Sequence, residues 1–314
     1  MKIHYVIDSF EARNPVITIG TFDGVHLGHR KVIDRLKEIA SSAEGETVVF
    51  TFYPHPRMVV SASESSLRLL STFNEKADQL EQAGIDHLVV FPFTIEFAEL
   101  TYDEFIKEIL IDKLHLHTLV VGHDHRLGKN REGSFENILS LSKRLSFNVE
   151  KIETYLFDEV DVSSTKIRNA LQKGEVDVAN RYLGYTFSLH GTVTEGNKLG
   201  RSIGFPTANI QASDPYKLIP AEGVYAVTIL VKGKLYKGML NIGFRPTLYF
   251  NADNRTIEVH IFDFSEDIYS KEISIFFYKR TRNEQKFANI EALKNQLSID
   301  REQIMRILEE VELS

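Results

Sequence analysis

Two histidines three residues apart, His26 and His29, close the run Gly20-Thr21-Phe22-Asp23-Gly24-Val25-His26-Leu27-Gly28-His29. An apolar stretch, Val16-Ile17-Thr18-Ile19, precedes the run and an amphipathic one follows it, so it reads as the turn between a strand and a helix. At the carboxyl edge of a parallel sheet such a turn faces the ligand crevice, and the unpaired N–H groups of the helix N-terminus favour an anion, here phosphate. Imidazoles three apart share a face of the first turn, where their N–H groups could hold phosphate oxygens and stabilise charge developing during transfer. Gly24 and Gly28 would let a nucleotide come close. Two other readings stay open for a bare H-x-x-H pair: a structural pair within its own turn, and half of a zinc site. Zinc needs a third and fourth ligand, which nothing local supplies. His115, His117, His123 and His125 could contribute, but alternate histidines on a strand more often mark one exposed face.

A second group is Val162-Ser163-Ser164-Thr165-Lys166-Ile167-Arg168, followed by a helical run. Hydroxyls just before a helix are ordinary N-caps. With Arg168 added, hydroxyls, helix N–H groups and a guanidinium gather at one helix start, which would make a second phosphate clamp. In Thr256-Ile257-Glu258-Val259-His260-Ile261-Phe262 the polar residues alternate, so Glu258 and His260 share a face; taken alone they read as a solvated strand face.

The elements that must position these residues fall into two patterns. From Val16 to about Lys173 short apolar runs (VITIG, TVVFTFY, DHLVVFPF, TLVVG) alternate with stretches of helical period (HRKVIDRLKEIA, NEKADQLEQAG, YDEFIKEILIDKL, SFENILSLSKRL). The spacing predicts a doubly wound α/β domain whose parallel strands are buried on both faces. After Leu183-Gly184 strand signals follow one another: GVYAVTILV, a Lys232-Gly233-Lys234 turn, LYKGMLNIG, TIEVHIF and EISIFFYK. About six short strands joined by hairpins predict a small antiparallel barrel, closed so that no edge is exposed. Apolar residues from Ile290 to Val311 predict a terminal helix packed on the barrel, with Ser298-Ile299-Asp300 as a break or N-cap.

The chain's 314 residues suit two domains, and the absence of cysteine excludes thiol catalysis, cysteine-ligated zinc and iron–sulfur clusters, and fits a reducing compartment. No apolar run approaches the length a bilayer requires, and the opening Met1-Lys2-Ile3-His4 is no signal peptide, so a cytoplasmic protein without a membrane partner is expected. The formal charge of −7 lies before Tyr185, and with no dense basic stripe it argues against a nucleic-acid partner.

The motif pair G-x-F-D-G-V-H-x-G-H and S-S-T-x-I-R resembles that of the nucleotidylyl transferases that adenylylate flavin mononucleotide (FMN). Gly191-Thr192-Val193 through Gly196, then Gly200-Arg201, then Gly204-Phe205-Pro206-Thr207-Ala208-Asn209, resembles the flavokinase motif; no G-x-x-x-x-G-K-[ST] loop is present. Over essentially the whole chain the sequence is similar to the bacterial bifunctional riboflavin kinase/FAD synthetase family. The resemblance implies an FMN adenylyltransferase domain at 1–184, of the doubly wound parallel nucleotidylyltransferase type, and a riboflavin kinase domain at 185–314, a small antiparallel β-barrel with a terminal helix. It implies ATP, riboflavin and FMN as substrates, FMN and FAD as products, and Mg2+ for both steps. Thr207 and Asn209, two apart on an extended segment, point to one face and could share that magnesium with ATP phosphates; a turn-closing pair is the alternative. By resemblance Glu258 is the kinase base. Gly20, Phe22, Asp23, Gly24, Gly28, His55, Asp124, Ser163, Ser164 and Thr165 border the transferase site, with His26, His29 and Arg168 acting on the phosphates. Gly196, Gly200, Arg201, Gly204, Phe205, Pro206, Arg245 and Arg282 line the kinase site, although Arg245 and Arg282 could equally be surface charges of the barrel. Where the family shows G-x-D-F-x-F-G, this chain has Gly122-His123-Asp124-His125-Arg126-Leu127-Gly128, without both aromatics. An isoalloxazine ring is held by stacking, so this departure keeps open an alternative in which only the kinase works and the first domain is a flavin or nucleotide binder. The expected partners are small molecules, and the expected state is a monomer or weak oligomer.

Overall fold

The structure, a computed structural model, describes residues 1–60, 67–122, 126–152, 156–157, 160–195, 200, 203–244 and 255–311. The chain folds into two compact units, 1–164 and 165–314.

The first unit is built on a six-stranded parallel sheet in the order β1-β4-β3-β2-β5-β6, with β1 at Lys2–His4, β2 at Val16–Ile19, β3 at Thr47–Tyr53, β4 at His87–Pro92, β5 at Thr118–Gly122 and β6 at Asn148–Ile152. Alternate residues of the central strands feed two cores. Val16, Val49, Leu88 and Val120 meet Ile33, Leu36 and Ala40 of helix α1 (Leu27–Ser42) on one face. The α3 residues Ala77 and Leu80 join that layer; α3 spans Phe73–Gln82 and follows the short α2 (Pro56–Val60). Ile17, Phe50, Val89 and Leu119 pack the other face, against residues from three further elements. These are α4 (Ile95–Ala98), the π-helical Phe105–Ile111 that continues α5 (Tyr102–Glu104), and α6 (Phe135–Leu145). Burial on both faces is why the central strands are continuous apolar runs. The edge strands β1 and β6 are largely exposed and carry no such run, so the apolar pattern does not show them. Two short strands, β7 (Leu156–Phe157) and β8 (Val160–Asp161), pair antiparallel.

The expected barrel is present and closed, in the order β10-β13-β12-β11-β14-β9, over β9 (Ser188–Thr194), β10 (Ala208–Ala212), β11 (Gly223–Val231), β12 (Lys234–Phe244), β13 (Arg255–Ile261) and β14 (Glu272–Arg282). Val231 pairs with Lys234 across Lys232-Gly233, both at positive φ, the mirror-image turn that matches strand twist. Helices α7 (Ser164–Lys173) and α8 (Val176–Leu183) lead into the barrel, and residues 165–183 belong to its unit rather than to that of the sheet. The Asn180 side chain donates to the Phe277 carbonyl (2.7 Å) and accepts from the Phe187 N–H (2.8 Å), and Ala221 N–H donates to Leu171 (3.0 Å). The terminal helix α9 (Ile290–Ile307) sets Ile304 and, just beyond it, Leu308 on Val224, Ala226 and Met239, side chains from the outer face of the barrel.

The break expected at Ser298-Ile299-Asp300 does not occur. Asn289 caps α9, accepting from the Ala292 N–H (2.9 Å), and the helix runs through all three residues. Each polar side chain there has a partner compatible with helix: the Ser298 hydroxyl donates to the Lys294 carbonyl (3.1 Å), and Asp300 turns to Arg282.

Candidate active sites

Strand order reverses between β2 and β5, and ligands of open α/β sheets bind outside the carboxyl ends of the strands at such a point. A cavity of about 740 Å³ lies there, lined by Gly20, Thr21, Phe22 and His29 after β2 and by Gly122, Arg126, Leu127 and Gly128 after β5. The loop between β2 and α1 owes its shape to local constraints. Phe22, Gly24 and Val25 all adopt positive φ. A side chain at Gly20 would meet the Phe22 ring at 3.0 Å, and one at Gly28 would sit between the His26 ring and the Val162 carbonyl, so the room that Gly28 leaves is taken by protein.

His26 and His29 are brought together as stacked rings, centroids 3.7 Å apart and 18° from parallel. They are not equivalent. His26 is 5% exposed and caps α1, its Nδ1 accepting the His29 N–H (3.3 Å), which leaves Nε2–H as its donor. His29 lines the cavity, and its Nδ1 has no hydrogen-bond partner among the described residues. Burial, then His26, then Lys76 hold the His29 pKa well below the usual histidine value, which favours the neutral imidazole.

Asp23 is 3% exposed, and its carboxylate accepts from Leu70 N–H (2.9 and 3.1 Å) and Ser71 N–H (3.0 Å). The sequence places Asp23 beside the ligand; in the fold it anchors the loop to the segment ahead of α3. Gly24 N–H donates to the Ser71 hydroxyl (2.9 Å). Ser164, at the start of α7, donates its hydroxyl to the Asp23 carbonyl (3.0 Å), and Ser163 immediately precedes it. Thr165 is exposed and Arg168 half-buried in the first turns of α7. His55 follows β3 and accepts from the Arg57 N–H through Nδ1 (3.2 Å), while Phe52, Pro56 and Val60 of the same stretch line the cavity. Asp124, His123 and His125 lie outside the described residues, as do Gly196, Arg201 and Arg245. No group of three metal-ligating His, Cys, Asp or Glu side chains exists among the described residues.

In the barrel unit Glu258 on β13 stands in register between Asn209 on β10 and Asn241 on β12. The Thr207 hydroxyl donates to Glu258 Oε2 (3.5 Å). Ile257, Val259 and Ile261 are buried, and Glu258 and His260 alternate onto the other face, where both line a cavity of about 290 Å³. His260 is itself buried, with its Nδ1–H donating to the Pro206 carbonyl (2.7 Å), and burial lowers its pKa. The cavity's apolar wall includes Phe205, Met239, Phe287 and, from α9, Leu293 and Leu297. Thr207 also borders a second cavity, of about 420 Å³, with Pro206 and Ala208. A side chain at Gly200 would strike the Phe205 carbonyl at 2.2 Å, and Gly204 holds φ +85°, so both glycines shape the turn leading to Thr207.

Arg282 is no loose surface charge. Its Nε–H donates to both oxygens of Asp300 (3.0 and 3.1 Å) and its second terminal nitrogen to Oδ2 (2.8 Å); Asp300 is 1% exposed and also accepts from Gln296 (2.9 Å). The remaining Arg282 nitrogen donates to the Asn283 carbonyl (3.0 Å), and the guanidinium lies over Phe287.

Residues 9–166 match the family model for FAD synthetase and residues 183–308 the model for riboflavin kinase. The chain is 39% identical to the bifunctional riboflavin kinase/FMN adenylyltransferase of Listeria monocytogenes over 95% of its own length and 94% of the relative's. It is 37% identical to that of Bacillus subtilis (96% and 95%) and 36% identical to that of Escherichia coli (91% and 90%). The chain belongs to the bifunctional riboflavin kinase/FMN adenylyltransferase family. A crystal structure described as a macrolide-efflux protein from Streptococcus pneumoniae has the same fold throughout, with TM-score 0.87 and 28% identity over 96% of this chain and 98% of that one. Among the described residues no helix is long and apolar enough to cross a membrane.

Aromatic side chains from other elements line the cavity where the motif in this chain lacks its own. Leu127 is buried in the core and bridges Gly133 through two backbone bonds (3.1 and 2.9 Å). The cavity's aromatic wall comes from Phe52, Phe93, Phe97 and Phe105, which pack edge-on or tilted against one another. Sequence reasoning names none of the last three; their signal, phenylalanines just past β4, in α4 and at the start of the π-helical segment, is also that of ordinary core. Lys76 and Asp300 escape it for the same reason, as helix polar residues whose burial only the fold reveals.

Proposed function

We propose that the barrel unit transfers the γ-phosphoryl group of ATP to the terminal ribityl hydroxyl of riboflavin, giving FMN and ADP, and that the sheet unit joins AMP from a second ATP to FMN, giving FAD and pyrophosphate. The observation that carries the reading is Thr207, which borders two cavities and donates to Glu258 at the edge of the apolar one, with Asn209 in register beside Glu258, an arrangement suited to bringing two substrates together at one carboxylate. The apolar cavity accommodates the isoalloxazine ring, and the nucleotide phosphates lie on the other side of Thr207. Glu258 orients the hydroxyl and takes its proton as the new P–O bond forms, since a carboxylate is too weak to ionise an alcohol beforehand. The hydroxyl and amide oxygens of Thr207 and Asn209 are hard donors fit for magnesium, which takes few protein ligands and completes its shell with phosphate and water. When bound there it would neutralise charge on the transferred phosphoryl group.

In the sheet unit an FMN phosphate oxygen attacks the ATP α-phosphorus and the bond to pyrophosphate breaks. The protein's part is alignment and charge stabilisation: Nε2–H of His26 and the neutral His29 ring donate toward the α-phosphate, and the family resemblance assigns the departing pyrophosphate to Thr165, Arg168 and the backbone N–H groups of the Ser163-Ser164 turn. The aromatic wall suits a flavin ring, and the stacked His26 and His29 beside it are what favour a transferase over a domain that only binds. Incubation with riboflavin, ATP and magnesium, followed by chromatography of the flavins, tests both steps. FMN and FAD are expected; FMN alone, with added FMN also left unconverted, would refute the transferase half, and neither product would refute the whole reading.

A further inference from the structure

A buried lysine lies beneath the transferase loop with no part in the chemistry above. Lys76, on the inner face of α3, is 8% exposed, and its Nζ donates to the Thr21 carbonyl (3.1 Å) and the Thr51 hydroxyl (3.1 Å). Thr51 in turn donates to the same carbonyl (3.4 Å). Both cross-links reach the start of the loop, while Asp23 and Gly24 tie its middle to Leu70 and Ser71, just ahead of the helix that carries Lys76. Segment 70–76 is thus the bed on which residues 20–29 are laid. A buried ammonium is costly, and a structural peg could have been apolar. The charged and titratable groups around it are Asp23 from the loop and His29 from α1; Thr51 is what β3 presents.

We propose that Lys76 is a positioning residue for adenylyl transfer: through the Thr21 carbonyl, and as counter-charge to buried Asp23, it fixes the loop so that His29 meets the α-phosphate. The proposal rests on the transferase reading. Displacement of a reacting group by about 1 Å can cost on the order of 100-fold in rate, and among the described residues the loop has no other anchor at the Thr21 carbonyl except the long Thr51 bond. Burial pushes the Lys76 pKa down to about 8, so the charge that holds the loop is lost within an accessible pH range.

The test is the pH profile of FAD formation from FMN, ATP and magnesium by the wild-type chain and by Lys76→Met and Lys76→Arg, from about pH 6.5 to about 9.5, spanning the ammonium's titration. Riboflavin phosphorylation on the same samples reports the barrel unit, and resistance of residues 1–164 to limited proteolysis reports that the unit carrying Lys76 is folded. The wild type should lose kcat as pH rises through about 8; Lys76→Met should start at least roughly tenfold lower at about pH 7 and show no such limb, with the KM for ATP within about threefold. Lys76→Arg, whose charge does not titrate there, should recover part of the rate and stay flat. An unchanged alkaline limb in Lys76→Met, or a kcat close to that of wild type, overturns the proposal. If Lys76→Met does not fold, the Lys76→Arg profile decides: a limb like that of wild type overturns it, and a flat profile supports it. A wild type that makes no FAD at any pH refutes the transferase reading itself, a result distinct from failure of the lysine's role.

Discussion

Asp300→Ala should cost the barrel unit far more than an average helix substitution. Asp300 is almost fully buried and accepts three hydrogen bonds from Arg282 and one from Gln296, so its removal leaves a guanidinium that is only 19% exposed without its counter-charge. Breaking a buried ion pair from one side costs about 3–5 kcal/mol, because the surviving charge stays desolvated. Asp300→Asn keeps an acceptor oxygen and the side chain's shape, and should cost roughly half as much. For a unit of this size about 4 kcal/mol corresponds to a fall in Tm on the order of 10 °C, readable by near-ultraviolet circular dichroism of the tyrosines. Replacing both partners, Arg282→Met with Asp300→Leu, should restore most of the stability, since the paired charges contribute little net over an apolar pair. It should not restore function: Arg282, Glu284 and Phe287 line the apolar cavity, so the KM for riboflavin should stay raised in the double variant. A loss below about 1 kcal/mol for Asp300→Ala, or a double variant no more stable than the single one, would refute the argument that the pair is desolvated and mutually dependent.

Glu258→Gln should lower the phosphorylation kcat by about 10²–10⁴ with little change in the KM for riboflavin, while FAD formation from supplied FMN continues; initial rates at saturating ATP check this. His29→Ala should reduce FAD formation by about 10²–10³, as loss of one donor to developing charge does, and leave phosphorylation intact. His26→Ala should do the same and also cost about 1 kcal/mol through the lost cap of α1, which a urea melt resolves. His4, His29 and His260 all have lowered pKa values, chiefly from burial, so below about pH 6.5 the unfolded chain binds protons that the folded chain does not. Stability should therefore be full above that pH and fall as the medium is acidified. A Tm equal at about pH 7.5 and about pH 5 would contradict this sign.

Much of the molecule is written in local pattern. Apolar runs between amphipathic stretches determined the parallel sheet, the Lys232-Gly233 turn determined a hairpin, and the motifs around His26, Ser164, Thr207 and Glu258 marked where chemistry would lie, because strand period, helix period and turn residues are short-range properties. The exposed edge strands β1 and β6 left no such pattern. What only the tertiary structure decided is how polar residues are used. Asp23 accepts from the backbone of the segment ahead of α3, His26 caps a helix while His29 faces the cavity, and Asp300 continues a helix that its residue type would break. The aromatic wall is assembled from phenylalanines that lie outside the motif itself. Each of these depends on a partner brought close by the fold, and the energy of a polar group is set by whether that partner is present when water is excluded.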